Sequence, residues 1–136
     1  MTGNREIRVK QRILIVDDED IIGETLKAYL ETHDFEVSFM TDAVELVLKL
    51  DSEVYHLVIL DLALADTDGL EVLEMLKLRF QQLPVLILTG MGYDDELMNE
   101  AMRLRADGYV SKTMALPHLL AEVRRILRGI NPAKGN

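Results

Sequence analysis

Two sets of carboxylates follow apolar runs without a break: Asp17-Asp18 directly after Ile13 to Val16, and Asp61 directly after Leu57 to Leu60. Thr89 ends a third such run, Val85 to Leu88, and Lys112 stands just past a short one, Gly108 to Val110. Runs this short and apolar read as strands buried on both faces, and in parallel sheets ligands bind beyond the carboxyl ends of the strands. If the strands before Asp17 and Asp61 are neighbours, three carboxylates fall within ~5 Å, where at an effective dielectric near 20 each pair repels by about 3 kcal/mol. Lys112 offers one positive charge and a divalent cation two, which together neutralise the three acids. An all-oxygen ligand set with open positions suits Mg2+, a hard ion that keeps waters and accepts phosphate oxygens; it does not suit zinc. Taken singly, Asp17 and Asp18 read as acids at a helix start and Asp61 as a turn residue. Their recurrence with Thr89 and Lys112 at successive strand ends is what points to a site.

The rest of the chain must position these groups. Short β-rich runs alternate with longer stretches of helical spacing, the pattern of βα units around a buried parallel sheet, and five units can be counted. Ile13 to Val16 is followed by Ile22, Leu26, Tyr29 and Leu30 on one helical stripe. Phe35 to Met40 alternates, and Thr41 or Asp42 is placed to cap a helix carrying Val44, Leu46, Val47 and Leu50. Leu57 to Leu60 leads through Asp68-Gly69 into a helix with Leu70, Leu73, Met75, Leu76 and Phe80. Val85 to Leu88 turns at Thr89-Gly90-Met91-Gly92, and Asp94, Asp95 and Glu96 load the first turn of a helix bearing Leu97, Ala101, Met102 and Leu104. Gly108 to Val110 makes the fifth strand, and Pro117 suits the first turn of a last helix with Leu119, Leu120, Val123, Ile126 and Leu127. The expected fold is α/β, a (βα)5 unit with helices on both faces of the sheet.

With these elements in place, the sequence resembles the receiver domain of two-component response regulators. ILIVDDE, LVILDLALADTDGLEVL, LILTG and GYVSK stand in the family's order and spacing, and the likeness runs from about Gln11 to Arg128. It implies a flavodoxin-like, doubly wound sheet of strand order 2-1-3-4-5, an order taken from the family and not from the hydrophobic pattern. It further implies that Asp61 accepts a phosphoryl group from a sensor histidine kinase or a histidine phosphotransfer protein. Asp18 and Asp61 would ligate Mg2+ directly with the backbone carbonyl of Ala63, and Asp17 would act mainly through bound water. Lys112 would pair with the phosphoryl oxygens, Thr89 would hydrogen-bond the arriving group, and Tyr109 would swing inward behind it. The face made by the fourth helix, fifth strand and fifth helix would then control an output partner or domain, with a phosphorylation-dependent homodimer as one outcome. A carboxylate is a competent nucleophile toward phosphorus once a metal and a lysine neutralise the transferring oxygens. Its acyl phosphate product is labile, which suits a self-catalysing signalling switch better than a metabolic enzyme.

The sequence departs from the family pattern in places. Ala65 and Thr113 stand where proline is usual. Without proline a cis bond after Lys112 costs about 3–4 kcal/mol, so a trans peptide is expected there. Gly90 replaces the usual alanine and leaves phosphoryl access open, while the apolar Ala63 and Met91 are poor at orienting an attacking water, which predicts a long-lived phosphoryl state. The departures keep a second reading open, a pseudo-receiver binding partners independently of phosphorylation; a Mg2+-dependent phosphohydrolase is disfavoured because one compact domain leaves no cap or substrate pocket.

Composition sets the outer limits. The 136 residues carry a formal net charge of −9, which argues against a grip on nucleic acid through its phosphates. Residues 1–100 hold 22 Asp and Glu against 8 Lys and Arg, and residues 101–136 hold 2 against 7, so a basic final stretch follows an acidic body. The absence of cysteine excludes disulfides, thiolate metal sites and cysteine nucleophiles and fits the cytoplasm. MTGNREIRVKQR lacks the apolar core of a signal peptide, and no apolar run approaches the ~18 residues of a membrane span, so neither export nor membrane contact is expected. Asp66-x-Asp68-Gly69 lacks the remaining ligands of a calcium loop, and His33, His56 and His118 show no metal spacing. The domain expected from this reading is residues 11–128, with a flexible extension at 1–10 and a tail or linker at 129–136.

Overall fold

The computed structural model describes residues 9–65, 67–90 and 94–129. Most of the expected N-terminal extension and C-terminal tail, and Met91 and Gly92 of the expected turn, lie outside the described residues. The elements are β1 (Arg12–Val16), α1 (Asp20–Glu31), β2 (Glu36–Met40), α2 (Leu46–Ser52), β3 (Leu57–Asp61), α3 (Gly69–Arg79), β4 (Val85–Thr89), α4 (Asp95–Arg103), β5 (Gly108–Ser111) and α5 (Leu116–Leu127). All five strands run parallel in the order β2-β1-β3-β4-β5, so the (βα)5 architecture and its strand order are those expected.

Strand alternation divides the core in two. Ile13, Ile15, Leu57, Ile59, Leu86 and Leu88 face α1 and α5, where they meet Leu26, Leu30, Leu119, Leu120, Val123 and Ile126. The intervening Leu14, Val16, Val58, Leu60, Val85 and Ile87 face the other way, onto Leu46 of α2, Val72, Leu73 and Leu76 of α3 and Ala101 of α4. Every residue of β3 and β4 is buried, as expected for central strands of a parallel sheet covered on both faces. The register sets Val16 beside Leu60, Asp61 beside Leu88, and Thr89 beside Ser111, so the polar strand ends lie level.

Two local expectations are corrected. The second helix begins at Leu46, because Asp42 Oδ1 accepts from the Val44 N–H at 3.0 Å and closes a local turn in place of a helix cap. Val44 therefore lies before the helix and is 77% exposed rather than buried with Leu46. Met102, also placed on the apolar stripe of its helix, is 44% exposed on α4. Asp94 is the cap of α4, its Oδ1 accepting from Glu96 and Leu97 N–H, and Pro117 lies in the first turn of α5 as expected. Among the described residues no peptide is cis, so the Lys112–Thr113 bond is trans as the missing proline predicts.

Candidate functional site

Strand parity explains which acids converge. The Asp17 N–H continues the β1 ladder by bonding to Met40 C=O at 3.0 Å, so Asp17 keeps the side of Ile13 and Ile15, and Asp61 keeps that of Leu57 and Ile59. Asp17 Oδ1 then accepts from the Glu19 N–H at 2.8 Å, a local turn that brings Glu19 back toward the same side. Carboxylate oxygens of Asp17, Glu19 and Asp61 lie within 4.8 Å of one another, and Asp17 and Asp61 are buried. Asp18 falls on the opposite phase, is half-buried, and is not one of the three. Glu19 is the site residue the sequence reading passed over; its signal was the third acid of the ILIVDDE run.

Lys112, carried just past β5, reaches into this cluster. Its Nζ donates to Asp61 Oδ2 at 3.0 Å and to Asp17 Oδ1 at 3.2 Å, and it pairs closely with Glu19 Oε1. Burial works against the ammonium, but Glu19, Asp61 and Asp17 outweigh it and hold its pKa above the ordinary lysine value. Asp61 Oδ1 accepts from the Ala63 N–H at 2.9 Å, which fixes the second carboxylate oxygen. Asp61 is 1% exposed, with the Lys112 ammonium against its Oδ2. The loop beyond Asp61 is pinned by Gly69, whose N–H donates to Leu62 C=O at 3.2 Å; a Cβ there would come within 2.4 Å of the Leu62 backbone.

Three carboxylates against one ammonium leave a formal net charge of −2 in a site where Asp17 and Asp61 are buried and Glu19 is exposed. The strain appears at Asp17, whose carboxyl is pushed up to about 6 by burial, with the Glu19 N–H and Lys112 opposing and Asp61 adding to it. Asp17 Oδ2 is buried and makes no hydrogen bond, although Lys112 Nζ lies 3.1 Å away as a charge. A carboxylate oxygen without a hydrogen-bond donor, in an all-oxygen cluster with two negative charges left over, fits a hard divalent cation.

The remaining expected residues border the cluster. Thr89 is buried at the end of β4, one step beyond the position level with Asp61, and its carbonyl accepts from the Lys112 N–H at 2.7 Å. Gly90 follows, where a Cβ would sit at an ordinary 3.5 Å from the Lys112 side chain. The Tyr109 ring packs on the α2, α3 and α4 side with its hydroxyl buried near Thr89. Burial raises the phenol's pKa, with Thr89 opposing and Asp94 adding. Ala63 is exposed at the mouth of the loop. The three histidines stay apart from the site, and His56 Nδ1 accepts from the Arg12 N–H at 2.9 Å at the other end of the sheet.

Comparison with known proteins agrees with this arrangement. The family described as response regulator receiver domain matches residues 13–124. The transcriptional regulatory protein QseB of Haemophilus influenzae is 37% identical over 117 residues, covering 86% of this chain and 52% of that protein. The response regulator MprA of a Mycobacterium species is 34% identical over 124 residues, covering 91% and 54%. The chain thus spans about half the length of the curated relatives it matches. Among solved structures, a CheY-like receiver domain protein from Methanospirillum hungatei superposes with a TM-score of 0.81 at 31% identity, over 90% of this chain and 97% of that one. The BeF3-activated receiver domain of DrrB superposes with a TM-score of 0.76 at 30% identity, over 88% and 99%. With the family model matching residues 13–124, the chain belongs to the response regulator receiver domains, the signalling switches of two-component systems.

Proposed function

We propose that the domain is a phosphoacceptor whose Asp61 takes a phosphoryl group from a phosphohistidine of a sensor kinase or phosphotransfer protein. The observation that carries this reading is the Lys112 ammonium 3.0 Å from a buried Asp61 carboxylate, beside Asp17 and Glu19. An Asp61 oxygen forms the new O–P bond, the P–N bond of the donor breaks, and its electron pair returns to the imidazole, which regains a proton. Oδ1, held by the Ala63 N–H, orients the carboxylate, and Lys112 must release Oδ2 and turn its ammonium toward the phosphoryl oxygens. Thr89 and the Thr89–Lys112 backbone contact stand ready to follow the added charge, with Tyr109 behind them, toward the face formed by α4, β5 and α5. Asp61, acids of the Asp17–Glu19 run and the Ala63 carbonyl would hold Mg2+, which would supply two positive charges against the transferring oxygens. A direct-ligand role for Asp18 requires its carboxylate to join the Asp17, Glu19 and Asp61 group, of which it is not a member here. The reading also implies a cytoplasmic setting and an output partner or domain; among the described residues no helix is long and apolar enough to cross a membrane.

The test is incubation with Mg2+ and acetyl phosphate, followed by intact-mass measurement. One added phosphoryl group on the wild type and none on Asp61→Asn is the expected result. A wild type that takes up no phosphoryl group, with folded structure intact, leaves a binding module that works without phosphorylation and overturns the proposal.

A further inference from the structure

We infer that Ser111 and Thr113 are positioning residues: their paired hydroxyls stiffen the turn that aims Lys112 at the phosphoryl site. A lysine side chain is long and flexible, so its ammonium is delivered to one place only if the backbone beneath it is fixed. The Lys112 N–H is fixed on one side by the Thr89 carbonyl at 2.7 Å. On the other side the restraint comes from side chains. Ser111 Oγ accepts from the Thr113 N–H at 3.1 Å and lies 2.8 Å from Thr113 Oγ1, while the Met114 N–H closes the turn onto Ser111 C=O at 3.0 Å. Ser111 is 4% exposed, a buried hydroxyl whose contacts here are spent on the turn and not on the acid cluster. Thr113, exposed and joined by a trans peptide, has no ring to restrict its backbone, so the hydroxyl pair supplies the restraint. Lys112, flanked by the two, reaches Asp61 and Asp17.

The inference rests on the phosphoacceptor reading, and the experiment separates the two. Affinity for Mg2+ alone and for beryllofluoride at saturating Mg2+ is measured by NMR titration for the wild type, Ser111→Ala, Thr113→Val and Thr113→Ser. Loss of the hydroxyl pair is expected to weaken beryllofluoride binding about fivefold in Thr113→Val and at least as much in Ser111→Ala, which also loses the acceptor of the Thr113 N–H, with Mg2+ affinity unchanged and Thr113→Ser restoring the wild-type value. A purely structural role would lower both affinities together or neither, and either result overturns the inference. Thr113 is exposed, so its variants carry the test if Ser111→Ala does not fold. A wild type that binds Mg2+ but neither beryllofluoride nor a phosphoryl group overturns the phosphoacceptor reading itself.

Discussion

Asp17 is the residue at which the site's electrostatics can be read directly. Its carboxyl, raised to about 6 from an ordinary 3.8, keeps its proton to a higher pH than it does in the unfolded chain. Between about pH 4 and pH 6 the folded state binds more protons than the unfolded state, so this group's contribution to stability falls as pH rises and is fully lost above the folded value. In metal-free buffer Asp17→Asn should remove that slope and raise the urea-denaturation stability at pH 7.5 by about 1–2 kcal/mol. A variant that keeps the wild-type slope would place the titration elsewhere. Lys112→Met should act in the opposite direction, costing about 3 kcal/mol at pH 7.5 because Asp61 and Asp17 lose their buried counter-charge, and less at pH 5 where Asp17 protonates. At this scale the sequence was informative about Asp17, Asp61, Thr89 and Lys112, each marked by a polar residue ending an apolar run. Glu19 was less legible, since its place depends on a turn closed by Asp17 and not on strand alternation.

At the scale of elements, one aspartate ties three of them together. Asp107 Oδ2 accepts from the Lys77 ammonium at 2.6 Å and the Val85 N–H at 2.8 Å, while its own N–H donates to Val85 C=O and its carbonyl accepts from Arg125. α3, β4 and α5 thus share a junction at the start of β5, in which Lys77 is buried. Asp107→Ala should cost about 3 kcal/mol by leaving the buried Lys77 ammonium without a counter-charge, with only the Leu83 carbonyl at 3.3 Å, and the Val85 N–H unsatisfied, and urea denaturation would show it. Gly69→Ala should destabilise by at least ~2 kcal/mol, because a methyl group 2.4 Å from the Leu62 backbone forces the loop after Asp61 to move; a thermal melt within a degree or two of wild type would contradict this. The hydrophobic pattern exposed the strands and the long helices because burial on a sheet leaves a strong period. It misjudged the start of α2, where Asp42 satisfies a backbone donor outside the helix, and it gave no sign of the Lys77–Asp107 junction, whose partners are 30 residues apart.

For the whole molecule, net charge and ligand binding act on the same equilibrium. An ion that binds only the folded chain stabilises it by mass action, so Mg2+ at a hundredfold excess over its dissociation constant should add about 2.7 kcal/mol, and Asp61→Asn should lose most of that gain. No shift in the denaturation midpoint of the wild type would count against a metal in the acid cluster. The strand order was available from the sequence only through family likeness, since periodicity counts strands without saying which lie side by side. Lys112's hold on Asp61 has a consequence in time. If Asp61 is the acceptor, its carboxylate, 1% exposed and tied to the ammonium, can be loaded only in the intervals when that tie opens, so the speed at which a signal is written depends on the tie as well as on the donor.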